Sequence, residues 1–261
     1  MTRAWICAAI VGSLAAALST ASTSAQTYET GFLNRSLVHG DSTYRYQVFV
    51  PHNYDDDSAW PVILFLHGAG ERGADGLFQT EVGLGKALRR HMDRYPAIVV
   101  FPQAPRHKVW TGDIAEIAMA VLDQTVAEFN TDPDRVYLTG VSMGGNGTYY
   151  LAFHHPERFA ALAPICGWVG GNISLPNLFP EAGEDPYAGV AERIHGIPAW
   201  IFHGEADFAV PVVESRLMYQ ELDALGSPVT YTELPGTGHE SWDPAYLSAR
   251  FAEWLFQQRR P

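Results

Sequence analysis

Ser142 lies in Gly140-Val141-Ser142-Met143-Gly144, a G-x-S-x-G pattern whose flanks carry more information than its letters. Before it, Arg135-Val136-Tyr137-Leu138-Thr139 is β-branched and aromatic, as a buried strand requires. After it, Gly145 to Phe153 suits the opening of a helix. A serine on such a strand-to-helix corner is held in a strained turn with its hydroxyl exposed, and the small neighbours let the backbone close around it. The chemistry is nucleophilic attack. A serine hydroxyl is a weak nucleophile near neutral pH, so it needs a base in contact.

Histidine is the natural base, because its unperturbed pKa is about 6.5. Of ten histidines, His239 fits best, since Pro235-Gly236-Thr237-Gly238-His239 is a glycine-loosened loop directly after the last strand-like run, Val229–Leu234. An acid must orient the imidazole and stabilise its charged form. His203-Gly204-Glu205-Ala206-Asp207 follows another strand-like run and offers Asp207, with Glu205 as the alternative. The chain order Ser142, Asp207, His239 is the one expected of an α/β-hydrolase, unlike the orders in chymotrypsin-like and subtilisin-like enzymes. A tetrahedral intermediate needs preplaced donors for its oxyanion. The Met143 amide, directly after the nucleophile, is one candidate, and the His67-Gly68-Ala69-Gly70 loop supplies the other, with Ala69 ahead of Gly68.

These residues demand a scaffold that brings strand ends together. Ser36–His39 and Tyr44–Val50 read as two strands around the turn His39-Gly40-Asp41-Ser42. Beyond them, Pro61–His67, Ala97–Pro102, Arg135–Val141, Phe159–Ile165, Ala199–His203 and Val229–Leu234 are short, mostly continuous apolar runs, suited to a sheet covered on both faces. Between them, Ile114, Ile117, Ala118, Val121, Leu122, Thr125, Val126 and Phe129 recur at helical spacing, and Val212–Leu225 and Ala245–Gln258 behave similarly. Strand and helix in alternation predict a mostly parallel, doubly wound α/β sheet with an antiparallel N-terminal hairpin. Ligands on such a sheet bind beyond the carboxyl ends of the strands, where every candidate residue above falls.

Composition bounds the alternatives. The chain has 261 residues, 47% apolar and 18% charged, enough for one large α/β domain. Residues 1–25 stand apart. Arg3 gives a positive start, Ile6 to Leu18 is an alanine-rich apolar run shorter than the roughly 18–20 residues of a membrane span, and Thr23-Ser24-Ala25 fits a cleavage site. A signal peptide over 1–25 and a catalytic domain over 26–261 are expected, with a secreted or periplasmic product. Cleavage would take Arg3 and no acid from 17 basic and 29 acidic side chains, moving the net charge from −12 to −13. That balance disfavours nucleic acid and anionic membrane as partners. Cys7 would leave too, so Cys166 would have no internal disulfide partner.

Two further patterns carry less. Gly68-Ala69-Gly70-Glu71-Arg72-Gly73 matches G-x-G-x-x-G with Asp93 downstream, but a dinucleotide site needs the glycines to open a helix directly, and Ala74–Thr80 shows no helical pattern. Neither H-E-x-x-H nor paired-cysteine spacing occurs, so neither cofactor nor metal is expected.

With those residues in place, the chain resembles secreted α/β-hydrolase carboxylesterases of the feruloyl-esterase and polyhydroxyalkanoate-depolymerase-like (phospholipase/carboxylesterase) group. Residues 44–73, 97–112, 131–168 and 199–243 carry the resemblance, most specifically Leu66 to Gly73, Thr131 to Gly145 and His203 to Asp207. It implies cofactor-free ester hydrolysis through a covalent acyl-serine. The stretch from Gly167 to Ile197, interrupted by Pro176, Pro180 and Pro186, reads as short and irregular, too small for a large helical lid, and an uncovered site admits bulky or polymeric esters. Trp168 and Trp110 are the candidate pocket walls, flat surfaces suited to aromatic acyl groups. Two other classes share the scaffold: a serine peptidase of the prolyl-oligopeptidase kind, and a carbohydrate-binding protein that kept the fold without catalysis.

Overall fold

The computed structural model describes residues 1–2, 28–170 and 177–260; most of the expected signal segment 1–25 and Pro176 lie outside the described residues. Among the described residues, eight strands form one sheet in the order β1-β2-β4-β3-β5-β6-β7-β8. They are β1 (Gly31–His39), β2 (Ser42–Val50), β3 (Trp60–Leu66), β4 (Ile98–Pro102), β5 (Thr131–Val141), β6 (Ala161–Ile165), β7 (Ala199–Gly204) and β8 (Val229–Leu234). β1 and β2 form the antiparallel hairpin, β2 pairs antiparallel with β4, and from β4 across to β8 every pairing is parallel.

The helices are α1 (Leu84–His91), α2 (Gly112–Glu128), α3 (Met143–His154), α4 (Pro186–Ile194), α5 (Val213–Ala224), α6 (Trp242–Tyr246) and α7 (Ala249–Gln257). Period-2 alternation divides each central strand between two cores. On β3, Val62, Leu64 and Leu66 join residues of α2, α3, α4 and α5, whereas Ile63 and Phe65 join residues of α1, α6 and α7. Both faces are therefore dry, which is why the strand sequences are unbroken apolar runs rather than alternating ones.

After β3 the chain moves outward to β4, then crosses back to lay β5 on the other side of β3. Strand order reverses there, and in open α/β sheets the crevice at such a switch point is where ligands bind. Leu66 at the end of β3 pairs with Gly140 near the end of β5, so the loops leaving these strands emerge side by side.

Three local details differ from the pattern expected of the sequence. The hairpin strands are longer, with Gly31 already paired to Val50. The C-terminal helical run is split, because Ser248 caps a fresh helix by accepting the Phe251 amide at 3.3 Å. The stretch before Ile197 is not wholly irregular: Asp185 accepts the Tyr187 and Ala188 amides at 3.0 and 3.3 Å, and Pro186 opens α4 with its φ preset for a first turn. No helix of the described residues is long and apolar enough to cross a membrane.

Candidate active site

Ser142 stands between β5 and α3 with φ 54° and ψ −116°, a backbone that side-chain-bearing residues seldom adopt. The corner is closed by contact with the neighbouring strands. The Ser142 amide donates to the Ile165 carbonyl at 2.9 Å, and a Cβ on Gly144 would stand 1.9 Å from the Leu66 carbonyl oxygen. Glycine at 144 is therefore a steric requirement of the turn. The Met143 amide, first in α3, has no acceptor within the helix.

His239 arrives on the loop after β8. That loop packs backbone to backbone on the end of β7, where a Cβ on Gly204 would lie 2.1 Å from the Gly238 carbonyl oxygen and the Ala206 amide donates to the Thr237 carbonyl at 2.9 Å. This brings together the three side chains singled out in the sequence. His239 Nε2 lies 2.9 Å from Ser142 Oγ, and His239 Nδ1 lies 2.7 Å from Asp207 Oδ2. The alternative acid, Glu205, instead accepts the Gly236 amide at 2.9 Å.

The Asp207 side chain is wholly buried. Oδ1 accepts the Ala209 and Val210 amides at 2.8 and 2.9 Å, while Oδ2 faces His239 and, at 3.2 Å, His203 Nε2. Burial alone would raise this carboxyl, but the bonds from His203, His239 and the Val210 amide outweigh it and hold the group far below the ordinary carboxylate range. The carboxylate is thus charged near neutral pH.

The turn after β3 is built around a buried imidazole. His67 Nε2 lies 2.9 Å from the Ala104 amide and must accept from it, so the ring proton sits on Nδ1 and is donated to the Gly68 carbonyl at 2.6 Å. In a trans peptide the C=O and N–H point in opposite directions. Anchoring the Gly68 oxygen therefore aims the Ala69 amide away from His67. Ala69–Glu71 forms a single 3-10 turn rather than the helix a dinucleotide site would need. A Cβ on Gly68 would lie 3.7 Å from Ser142 Cβ, so this turn touches the serine corner. Burial raises the Glu71 carboxyl, partly offset by bonds from the Gly68 amide and its own amide. Glu71 Oε2 stands close by, 3.0 Å from where a Cβ on Gly68 would lie, and Ala69 and Met143 remain the candidate oxyanion donors.

Burial also pushes His67 down to about 4. Its folded value lies below the unfolded one, so its contribution to stability is complete above about pH 6.5 and is lost as pH falls toward 4, where the unfolded chain takes a proton that the folded one refuses. That window is expected to remove roughly 3 kcal/mol of unfolding free energy. Urea titrations of the wild type and His67→Gln across pH 4–7 check this; identical slopes for the two would contradict it.

The two tryptophans fall differently from the expectation of open walls. Trp110 is 1% exposed, donates its Nε1–H to the His67 carbonyl at 3.0 Å and sets its ring edge-on to His67 at 4.9 Å. It braces the turn from beneath and has no free face for a ligand. Trp168 is 5% exposed, and its carbonyl accepts Asn146 Nδ2 at 2.9 Å. The next two amides, Val169 and Gly170, donate to the buried Glu214 at 3.0 and 3.2 Å, with the Tyr187 hydroxyl completing the set at 2.8 Å. Glu214 pins the loop that carries Trp168 onto α5, a role invisible in the helical pattern.

Cys166, at the end of β6, is buried with φ 41°, and burial pushes its thiol up to about 12. Its sulfur, the Asp207 carboxylate and a His239 ring nitrogen lie within 4.8 Å of one another, the one group among the described residues with metal-ligand composition. A neutral thiol beside a carboxylate and an imidazole already bonded to each other suits a proton relay better than a ligand set.

Known proteins share this arrangement of elements. A crystal structure of a thermostable esterase superposes with a TM-score of 0.74 at 32% identity, covering 88% of this chain and 63% of that one. A secreted protein of Arthroderma benhamiae, itself uncharacterized, is 28% identical over 232 residues, 78% of this chain and 24% of that protein. The poly(3-hydroxyoctanoate) depolymerase of Pseudomonas fluorescens is 27% identical over 237 residues, 82% of this chain and 79% of that protein. The chain thus spans about a quarter of the Arthroderma protein and under two thirds of the thermostable esterase. Residues 40–200, from the hairpin turn through the serine corner to the start of β7, match the family described as "Putative esterase", and the chain belongs to that family.

Proposed function

We propose that this chain is a secreted serine carboxylesterase whose catalytic residues are Ser142, His239 and Asp207, carried on one domain spanning residues 26–261. The observation that supports it most is the unbroken line of contacts from Ser142 Oγ through both nitrogens of His239 to Asp207. His239 Nε2 takes the Ser142 hydroxyl proton as Oγ attacks the ester carbonyl carbon. The carbonyl electron pair moves onto oxygen, where the Met143 and Ala69 amides receive it. When the pair returns, the C–O bond to the alcohol breaks and the alcohol oxygen takes the proton from His239. Water then repeats the sequence on the acyl-serine, releasing the acid and restoring the hydroxyl. Asp207, charged near neutral pH, holds Nδ1–H and so keeps Nε2 free to accept.

For substrate, the reading favours bulky, aromatic or polymeric esters of feruloyl or polyester type, a class to which the Pseudomonas fluorescens depolymerase belongs by name. Residues 1–25 have the features of a secretory leader, and the Arthroderma benhamiae relative is named as secreted. Incubation with a fluorophosphonate is expected to modify the purified protein once, at Ser142, as read by peptide mass spectrometry. Turnover across acetyl, octanoyl, 3-hydroxyalkanoyl and feruloyl esters is expected to rise toward the larger acyl groups. A protein that stays unlabelled, or one that cleaves only short peptides, would overturn the assignment.

A further inference from the structure

We infer that His203 is a positioning residue for the reaction, a second imidazole that holds the same Asp207 carboxylate oxygen as His239. This rests on the assignment of Asp207 as the acid that orients His239. His203 and Asp207 side chains are both completely buried, and their positions four residues apart span the end of β7 and the turn leaving it. His203 Nε2 lies 3.0 Å from the Val210 carbonyl, which can only accept, so Nε2 carries a proton. The same N–H is shared with Asp207 Oδ2 at 3.2 Å. At the other end of the ring, Nδ1 meets the buried Ser215 hydroxyl on α5 at 2.7 Å. The ring is therefore fixed at both nitrogens, between a helix and the acid.

Each Asp207 oxygen then has two donors: two turn amides on Oδ1, two imidazoles on Oδ2. Sharing Oδ2 has a chemical consequence. Charge directed at His203 Nε2–H is withheld from His239 Nδ1–H, so His203 limits how strongly the carboxylate favours the protonated form of His239. Its bond to the Val210 carbonyl also closes the 207–210 turn, fixing the carboxylate plane that His239 must meet. Other ionisable groups around the pair are committed elsewhere. The Cys166 thiol from β6 is neutral, Glu233 on β8 is paired with Arg216 and Tyr231, and Glu214 beside Ser215 faces the Val169 and Gly170 amides.

The test uses the full chain with His203→Phe, which removes the donor, and His203→Gln, whose amide can still reach Oδ2. Two readouts are taken: the acid limb of kcat/KM for a p-nitrophenyl ester, and the low-field proton resonance of His239 Nδ1–H. In His203→Phe the acid limb is expected to move up by roughly half a pH unit and kcat to fall about tenfold. The low-field proton should move further downfield, and His203→Gln should lie near the wild type in both. The resonance is also recorded in a Ser142→Ala background, where turnover cannot contribute. If the resonance is present there yet unmoved by His203→Phe, and the acid limbs coincide, His203 is a packing residue only. Its absence from the wild type would instead overturn the Ser142–His239–Asp207 assignment itself. Should His203→Phe not fold, Ser215→Ala, which frees Nδ1, is expected to move both readouts in the same direction; a Ser215→Ala protein identical to wild type overturns the inference.

Discussion

Replacing Ser142 by alanine is expected to lower kcat for p-nitrophenyl esters by about five to six orders of magnitude, with an unchanged circular dichroism spectrum. The size follows from geometry. His239 Nε2 lies 2.9 Å from Oγ; with that hydroxyl gone, the base is left to activate a water molecule, which lacks the fixed approach of the serine. The residue remaining at 142 still has to adopt φ 54°, so alanine inherits the same backbone strain and neither gains nor loses much stability. Turnover within tenfold of the wild type would mean that another group is the nucleophile.

Asp207→Asn is the second large effect, a loss of roughly ten-thousandfold in kcat near neutral pH. Asparagine keeps the shape, and its amide oxygen can retain the Ala209 and Val210 amides. Its NH2 group must then face His203 Nε2–H and His239 Nδ1–H, donor against donor. His239 can relieve this only by moving its proton to Nε2, which abolishes its capacity to take the serine proton. The stability cost has a definite sign in pH. The Asp207 carboxyl is lower folded than unfolded, so its contribution is full above the ordinary carboxylate range, near pH 4, and is lost as pH falls through the folded value. Asp207→Asn should therefore be destabilised at pH 7 and lose that deficit in acid. Wild-type kcat, or a stability deficit that grows in acid, would contradict this account.

Much of this was legible in the residues alone. Near-continuous apolar strands pointed to a sheet covered on both faces, and Ser142, Asp207 and His239 each fell just past a strand. What the pattern could not give was the other end of each hydrogen bond. Glu205 and Asp207 are interchangeable on paper; only the structure shows that Glu205 takes the Gly236 amide while Asp207 faces His239. Gly68 and Ala69 look alike in the sequence, and only the His67 bond to the Gly68 carbonyl shows how the peptide plane between them is turned. His67 and His203 both lay in motifs noticed for their neighbours, and a buried histidine leaves no periodic trace. Trp110 misled because position after a strand does not say which way a ring turns; here it turns inward, under the imidazole. The broken C-terminal helix shows a local signal outweighed by a pattern, since Ser248 could have been recognised as a cap within an otherwise helical run.

Cys166 offers one further consequence. It is buried beside Asp207 and His239 at a strand terminus, and it is the single sulfhydryl of any product cut after residue 25. The rate at which an alkylating reagent captures it is therefore a clock for the opening of that strand end, readable without substrate and with no engineered label.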